Sequence, residues 1–209
     1  MSAATNQARD DIVRAARSLF SRGLTHGSTG NLSVRVGDEI LVTPTGSSLG
    51  TVEAHQLSVI DPSGRHVDGA RPSKEAFLHA AVLRARPSAT AVVHTHSTHS
   101  AAVSCMDGLD PNDAVPPLTA YFAMRVGRLP LLPYHAPGDE TLGPIAEETA
   151  RNHSAILLSN HGPVVAGADL SAALDAIEEL EETAKLFLLL RGVPTRPLTT
   201  QQASALSTS

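Results

Sequence analysis

Short apolar runs of strand length alternate with longer segments of helical periodicity along this chain of 209 residues. The clearest strand candidates are ATAVVHTH at 89–96, AILLSN at 155–160 and GPVVAG at 162–167. This alternation favours an α/β fold in which helices cover a sheet. Two further runs within 31–44 flank Gly37-Asp38, a hairpin signal. The hairpin predicts a sheet that is not wholly parallel.

Apolar periodicity predicts five helices, at 8–22, 73–86, 97–105, 140–152 and 171–191. Gly23 is expected to end the first helix, and Ser73 to be the N-cap of the second. Between 107 and 138 the only element we predict is a short edge strand in LPLLPY. Residues 1–192 are predicted to form one domain. The Pro-, Ser- and Thr-rich tail, 193–209, is expected to be poorly ordered or draped over it.

Composition narrows the class of function. The net charge is −5, no Lys/Arg cluster occurs, and the aromatic residues are four Phe and two Tyr. These features disfavour a nucleic-acid partner. No run approaches the ~20 apolar residues of a membrane helix, and the first residues lack an apolar signal segment. With Cys105 as the sole cysteine, the expected location is the cytoplasm, and the expected partner is a small molecule.

Three histidines form the sharpest chemical signal. His94 and His96 lie two residues apart at the end of an apolar run, so a strand would project both to one face. His161 lies in a turn between two strand candidates. Three imidazoles suit a zinc site that leaves one position for substrate. The alternative is that the first two are half-buried and satisfied by backbone carbonyls, and that Gly162 supplies a positive φ to an ordinary turn.

A second signal lies at the predicted helix start Pro72–Glu75, because helix N-termini attract anions. Glu75 either lies near the metal and moves a proton or merely complements the helix dipole. The loops 27–31 and 43–48 are rich in Gly, Ser and Thr. They suit a phosphate nest, or are ordinary turns. The acidic run 178–182 is expected to face solvent or another subunit.

Five segments occur in an order and spacing that resemble one family: HGSTGNLSVR, TPTGSSLG, PSKEAFLH, AVVHTHS and LSNHGPV. The chain from Ala8 to Gly192 resembles the class II aldolase/adducin-head family. The resemblance implies a three-layer α/β/α sandwich with a central, mostly antiparallel sheet. It also implies one divalent metal per subunit, Zn2+ by preference, and a homotetramer with its sites at subunit interfaces.

Site residues are implied by the same motifs. His94, His96 and His161 correspond to the zinc ligands, and Glu75 to the acid/base that also touches the metal. Tyr121 corresponds to a tyrosine that assists catalysis in the aldolases. The residues implied to hold a substrate phosphate are Asn31, Thr45, Gly46, Ser73 and Lys74. Lys74 departs from the family pattern, since the aldolases commonly have Ser there.

A narrower resemblance, in THSTHSAAVSC, PPLTAYFAMRVGRLPLLPY and AIEELEETAKLFLLLRG, is to the 3-oxo-tetronate 4-phosphate decarboxylases of this family. It implies decarboxylation of a phosphorylated sugar acid to dihydroxyacetone phosphate and CO2 through a metal-stabilised enediolate, in four-carbon sugar-acid catabolism. The alternatives are a fuculose- or ribulose-phosphate type aldolase or 4-epimerase and a non-catalytic, adducin-head-like interaction module. His99 either supports the site as a neighbour of the ligands or is a packing histidine.

Overall fold

The computed structural model describes residues 3–206. Within them lie one eight-stranded sheet and seven α-helices. The strands are β1 (Asn31–Val36), β2 (Glu39–Val42), β3 (Ser58–Ile60), β4 (His66–Asp68), β5 (Ala91–His94), β6 (Leu131–Leu132), β7 (Ala155–Leu158) and β8 (Pro163–Gly167). The helices are α1 (Ala3–Ser21), α2 (Ala76–Ala85), α3 (Thr98–Ser104), α4 (Ala120–Arg125), α5 (Leu142–Ala150), α6 (Leu170–Leu189) and α7 (Thr200–Leu206). No helix within this range is long and apolar enough to cross a membrane.

The strand order is β4-β3-β2-β1-β5-β8-β7-β6, and every neighbouring pair is antiparallel except β6 and β7. The predicted hairpin is confirmed: β1 and β2 pair as far as Val36 and Glu39, with Gly37 at φ 60°. The short strand in LPLLPY is also confirmed, as the edge strand β6. The α/β class with a mostly antiparallel sheet is therefore correct.

Alternation along the strands creates two separate cores. In β5, Val93 faces a core that contains Ile12 of α1 and Ile177 of α6, whereas Val92 faces one that contains Leu78 of α2. Successive strand residues point to opposite faces, so a strand that is apolar at each position must be covered on both sides. This pattern produces the expected three layers.

The start of α2 differs from the prediction. The helix begins at Ala76, and Glu75 rather than Ser73 is its N-cap residue, with no side-chain cap bond. The Ser73 carbonyl accepts from the Ala76 N–H, and the Ser73 hydroxyl accepts from the Glu75 N–H. Ser73 therefore belongs to a separate turn before the helix. Its hydroxyl bonds within that turn and does not cap α2.

The tail contains a short helix that the sequence analysis does not predict. Thr199 and Gln202 form a reciprocal capping pair at the start of α7. The Leu198 N–H donates to the Pro117 carbonyl at 2.9 Å, and no residue of α7 is buried. Residues 207–209 of the predicted tail lie outside the described residues. The division of the chain at residue 192 stays a prediction.

Candidate metal centre

Three imidazoles converge at one end of the central strands. His96 Nε2 lies 3.0 Å from His94 Nε2 and 2.9 Å from His161 Nε2. The rings are steeply inclined to one another, with centroids 4.5–4.9 Å apart. A carboxylate oxygen of Glu75 completes a group in which all four ligand atoms lie within 4.8 Å of one another. The structure thus brings together the four residues that the sequence motifs single out.

The sheet places these side chains. His94 is the last residue of β5 and pairs with Val164 of β8, while His161 lies in the turn that leads into β8. The positive φ in this turn belongs to Asn160, at 55°, so the expected positive φ at Gly162 is wrong. Gly162 is needed for a different reason. A Cβ on it would lie 2.2 Å from the Thr95 carbonyl oxygen, so only glycine lets the two ligand segments approach.

The ring of His94 has a defined orientation. Its Nδ1 lies 2.8 Å from the Pro163 carbonyl oxygen, which can only accept, so Nδ1 carries the proton. This contact turns Nε2 toward the other imidazoles. Histidine ligands of metals commonly donate their other nitrogen in this way. The alternative, in which backbone carbonyls satisfy the histidines, therefore accounts for Nδ1 of His94. It does not account for the three Nε2 atoms that converge.

The donor set fits a divalent cation. Burial, with repulsion from neighbouring imidazoles, lowers the pKa of His96 to about 3 and that of His161 to about 4. Both rings are therefore neutral near pH 7, the state in which imidazole binds a metal. The Nε2 atom of His96 lies 2.9–3.0 Å from those of His94 and His161, so one cation could contact all three rings. Three imidazoles and a carboxylate suit zinc and other first-row divalent ions.

Glu75 is buried beside the histidines, with 7% of its surface exposed. Its oxygens lie 3.4 Å from His94 Nε2 and 3.2 Å from His161 Nε2, and Oε2 accepts from Asn31 Nδ2 at 2.8 Å. Burial raises the pKa of Glu75, but the two imidazoles and the Asn31 amide lower it further, to about 2. The carboxylate is therefore ionised and directed at the cluster rather than at the helix dipole.

A cavity of about 250 Å³ opens in front of Glu75, His96 and His161. Its wall includes every residue predicted to hold a phosphate, namely Asn31, Thr45, Gly46, Ser73 and Lys74. Ser28 and Thr29 line it as well. The Ser73 N–H donates to the Thr43 carbonyl, which fixes one polar loop beside the start of α2. Lys74 is exposed and forms no ion pair within residues 3–206. Phosphate binding by these residues stays a prediction.

Helix α3 connects the two ligand segments. Glu181 of α6 accepts from the backbone and side chains of His99 and Ser100 at 2.7–2.9 Å, which satisfies N–H groups at the start of α3. At the other end, Ser104 accepts from the Asn160 N–H with its carbonyl and from the His161 N–H with its hydroxyl. The expectation that the acidic run faces solvent or another subunit is wrong for Glu181, which is 5% exposed and bonded to α3 of the same chain.

Two predicted residues belong neither to the histidine cluster nor to the cavity wall. His99 contacts Glu181 through Nδ1, so its neighbour is the carboxylate that holds α3. Tyr121 is 58% exposed on α4, and the guanidinium of Arg125 lies 5.3 Å from its ring centroid. Within a single chain the structure does not bring Tyr121 to the metal cluster. The catalytic role of Tyr121 and the supporting role of His99 stay predictions.

Sequence reasoning missed His79 and Ser33. His79 is fully buried on α2, four residues after Glu75, and its Nδ1 lies 2.7 Å from Ser33 Oγ. Burial, together with the nearby His94, lowers the pKa of His79 to about 3. The available signal was positional: residues four apart share a helix face, and Asn31 and Ser33 share a strand face.

Comparisons with known proteins agree with this geometry. Residues 10–188 match the family described as Class II Aldolase and Adducin N-terminal domain. The chain is 49% identical over 189 residues to a Haemophilus influenzae protein named 3-oxo-tetronate 4-phosphate decarboxylase, covering 90% of each. It is 36% identical over 182 residues to an L-fuculose phosphate aldolase of Methanocaldococcus jannaschii, covering 87% of this chain and 96% of the aldolase.

A solved structure extends the match to the whole fold. YgbL from Escherichia coli superposes with a TM-score of 0.94 at 43% identity, covering 98% of this chain and 99% of YgbL. The sheet and helices that carry the histidine cluster are therefore shared with this relative. With sequence and structure in agreement over nearly its full length, the chain belongs to the class II aldolase and adducin N-terminal domain family.

Proposed function

We propose that this chain is a metal-dependent decarboxylase that converts 3-oxo-tetronate 4-phosphate to dihydroxyacetone phosphate and CO2. The observation that carries the proposal is the cluster of His94, His96, His161 and Glu75 at the base of a cavity with polar, anion-suited loops. The Haemophilus relative named for this reaction supports it, since it is more similar to the chain than the fuculose phosphate aldolase is.

His94, His96 and His161 would hold the metal, and we propose zinc because three imidazoles with one open position are typical of catalytic zinc sites. A bound divalent cation supplies a Lewis acid for negative charge that develops on a carbonyl oxygen. The chain's part is to orient the imidazoles and to keep two of them neutral. The Pro163 carbonyl orients His94, and burial keeps His96 and His161 neutral.

The polar loops would bind the phosphate. Thr45 and Ser73 offer hydroxyls, Gly46 offers an unobstructed backbone, and Lys74 brings a positive charge to the same wall. Such groups favour a phosphate dianion. The phosphate carbon is remote from the bond that breaks, so this binding energy orients the oxo acid without being consumed at the reacting carbons.

Glu75 would manage the proton. Loss of CO2 breaks the C1–C2 bond and leaves the electron pair delocalised over C2 and the C3 carbonyl, so C2 must then receive a proton. Glu75 is ionised, so it acts as a relay that first takes a proton from solvent water in the cavity and then passes it to C2. A positioned acid/base of this kind contributes about 10²–10⁴-fold in rate.

Assembly belongs to the same proposal. We propose a homotetramer whose sites lie at subunit interfaces. The exposed ring of Tyr121 on α4 supports this arrangement, because in one chain the ring lies away from the cavity and is free to face another subunit. In the assembly Tyr121 would assist catalysis in the site of a neighbour.

A substrate comparison tests the reaction. Purified protein is offered 3-oxo-tetronate 4-phosphate and, separately, fuculose 1-phosphate and ribulose 5-phosphate, with CO2 and aldehyde both measured. We expect CO2 from the oxo acid. Aldehyde from a sugar phosphate, or an epimerised pentulose phosphate, without CO2 from the oxo acid would overturn the proposal. Protein made without a chelating tag that contains no divalent metal would favour the non-catalytic interaction module.

A further inference from the structure

A buried row of four hydrogen-bonding side chains leads from the sheet to Glu75. Ser33 Oγ lies 2.7 Å from His79 Nδ1, His79 Nε2 lies 2.5 Å from Asn31 Oδ1, and Asn31 Nδ2 lies 2.8 Å from Glu75 Oε2. Ser33 and His79 are fully buried, and Asn31 and Glu75 nearly so. Of these four, Asn31 and Glu75 alone line the cavity, so Ser33 and His79 act behind it.

Chemistry fixes the direction of every bond in the row. An ionised carboxylate only accepts, so Asn31 Nδ2 donates to Glu75 and the amide oxygen faces His79. An amide oxygen also only accepts, so His79 Nε2 carries the proton. A fully buried neutral imidazole has one N–H, and its Nδ1 must therefore accept from the hydroxyl of Ser33. All three donors thus point toward Glu75.

Asn31 alone would not hold this orientation. The two ends of an amide are similar in size, and a half-turn about its terminal bond would place Oδ1 against the carboxylate. That arrangement would set two acceptors together beside the site. The N–H of His79 admits only an acceptor, which excludes the half-turn.

We propose that His79 is a positioning residue that fixes the Asn31 amide, and through it the Glu75 carboxylate. Asn31 then holds Oε2 of Glu75, while Oε1 lies 3.2 Å from His161 Nε2. This inference rests on the proposed function in one respect, namely that Glu75 moves the proton. It also gives Asn31 a second task beside the phosphate contact expected from the sequence.

Two substitutions at one position separate positioning from packing. His79→Gln can keep an N–H near the place of Nε2, whereas His79→Leu fills a similar volume without a donor. We expect His79→Leu to lower kcat by about 10–100-fold, the usual cost of losing a partner behind a site residue, with KM and metal content little changed. His79→Gln should restore most of the lost kcat.

The serine at the far end of the row provides a graded variant with a matched control. Ser33→Ala removes the partner of Nδ1 but keeps the N–H that faces Asn31, so we expect a smaller loss of kcat than in His79→Leu. Ser58→Ala removes another fully buried hydroxyl of the sheet, one without a hydrogen-bond partner among the described residues. Ser58→Ala should leave kcat unchanged.

The tautomer of His79 can be measured without any substrate. In the metal-loaded protein with 15N-labelled histidine, the His79 signal is assigned by its loss in His79→Gln. We expect protonated Nε2 and unprotonated, hydrogen-bonded Nδ1. A proton on Nδ1 would overturn the inference, as would wild-type kcat in His79→Leu or equal impairment of the Leu and Gln variants.

A failure of the proposed reaction can be distinguished from a failure of the inference on His79. Wild-type protein that releases no CO2 from the oxo acid would sink the decarboxylase proposal and leave the tautomer result standing. The kcat comparison would then be made with whichever sugar phosphate the wild-type protein converts.

Discussion

The backbone of Gly162 lies directly against the carbonyl of Thr95, where a Cβ would approach the Thr95 oxygen to 2.2 Å. Thr95 separates two of the three clustered histidines, and Gly162 follows the third. The contact therefore sets the distance between the two ligand segments. It is a backbone contact, so no side-chain rotation can relieve a larger residue at 162.

Gly162→Ala should separate these segments. We expect a loss of about 1–3 kcal/mol in the free energy of unfolding, as for other overpacked sites, and a lower metal content in the purified protein. Gly143→Ala is the matched control, since a Cβ there meets Phe77 only at 3.4 Å. Urea unfolding and elemental analysis measure both. Full metal content in Gly162→Ala would contradict the role given to this contact.

Glu75→Gln should keep the metal and the fold and lose most of the turnover. The amide has a similar shape but cannot relay a proton, so we expect CO2 release to fall by about 10²–10⁴-fold. Elemental analysis and a CO2 assay on the same preparation check both parts. Unchanged activity would remove Glu75 from the mechanism.

His96→Ala should abolish stoichiometric metal binding, because the Nε2 of His96 lies between those of His94 and His161. The cores on the two faces of the sheet remain, so the variant should still fold. Removing the metal with a chelator should lower the Tm of the wild-type protein, since a ligand of the native state stabilises it. The same chelator should leave the Tm of His96→Ala unchanged; an equal shift in both proteins would speak against the assignment.

The metal-free protein should lose stability as the solution is acidified from pH 6.5 toward pH 4. Burial lowers the pKa of His79 to about 3 in the fold, against about 6.5 in the unfolded chain. The unfolded chain therefore binds more protons in this range, and stability rises with pH. The lowered pKa values of His96 and His161 also make the stability of the metal-free protein rise with pH. Urea unfolding at pH 7 and pH 5 measures the slope, which should be shallower in His79→Gln; an equal slope would refute the assignment to His79.

Glu181→Ala should weaken both the fold and the metal site. It would leave the N–H groups of His99 and Ser100 without their carboxylate, and bonds to charged groups contribute about 1.5–3 kcal/mol each. Because α3 also holds the His161 turn through Ser104, metal affinity should fall as well. Glu182→Ala, on the exposed side of the same helix, is the control. Equal behaviour of the two variants would argue against a special role for Glu181.

The sequence predicted the positions of the helices and strands better than the caps and turns that connect them. Periodicity located α1 and α6, and the spacing of His94 and His96 anticipated that their nitrogens would meet. The cap at Ser73 and the positive φ at Gly162 were wrong, because the Ser73 hydroxyl is used in a turn that precedes α2 and because Asn160 holds the positive φ of the histidine turn. The Ser73 hydroxyl accepts from the Glu75 N–H. Residue 162 must be glycine because the Thr95 carbonyl, which is distant in the chain, leaves no room for a Cβ.

Other features could not be predicted from local patterns alone. Glu181 is one of several similar glutamates on α6, and only the position of α3 makes it a buried acceptor. His79 resembles an ordinary helix histidine until Ser33 and Asn31 are placed opposite it by the sheet. In both cases the information lies in which helix face meets which strand, and that depends on the assembled layers.

The order in which the clustered histidines occur along the chain has a consequence for how the site forms during synthesis. His94 and His96 leave the ribosome long before His161, and the carbonyl that orients His94 belongs to Pro163 of β8, the neighbour of β5. A nascent chain that ends before this strand therefore has two loosely held imidazoles and no orienting acceptor. We therefore expect the four-residue cluster to become complete only when β8 pairs with β5, so that incomplete chains would not bind a metal there.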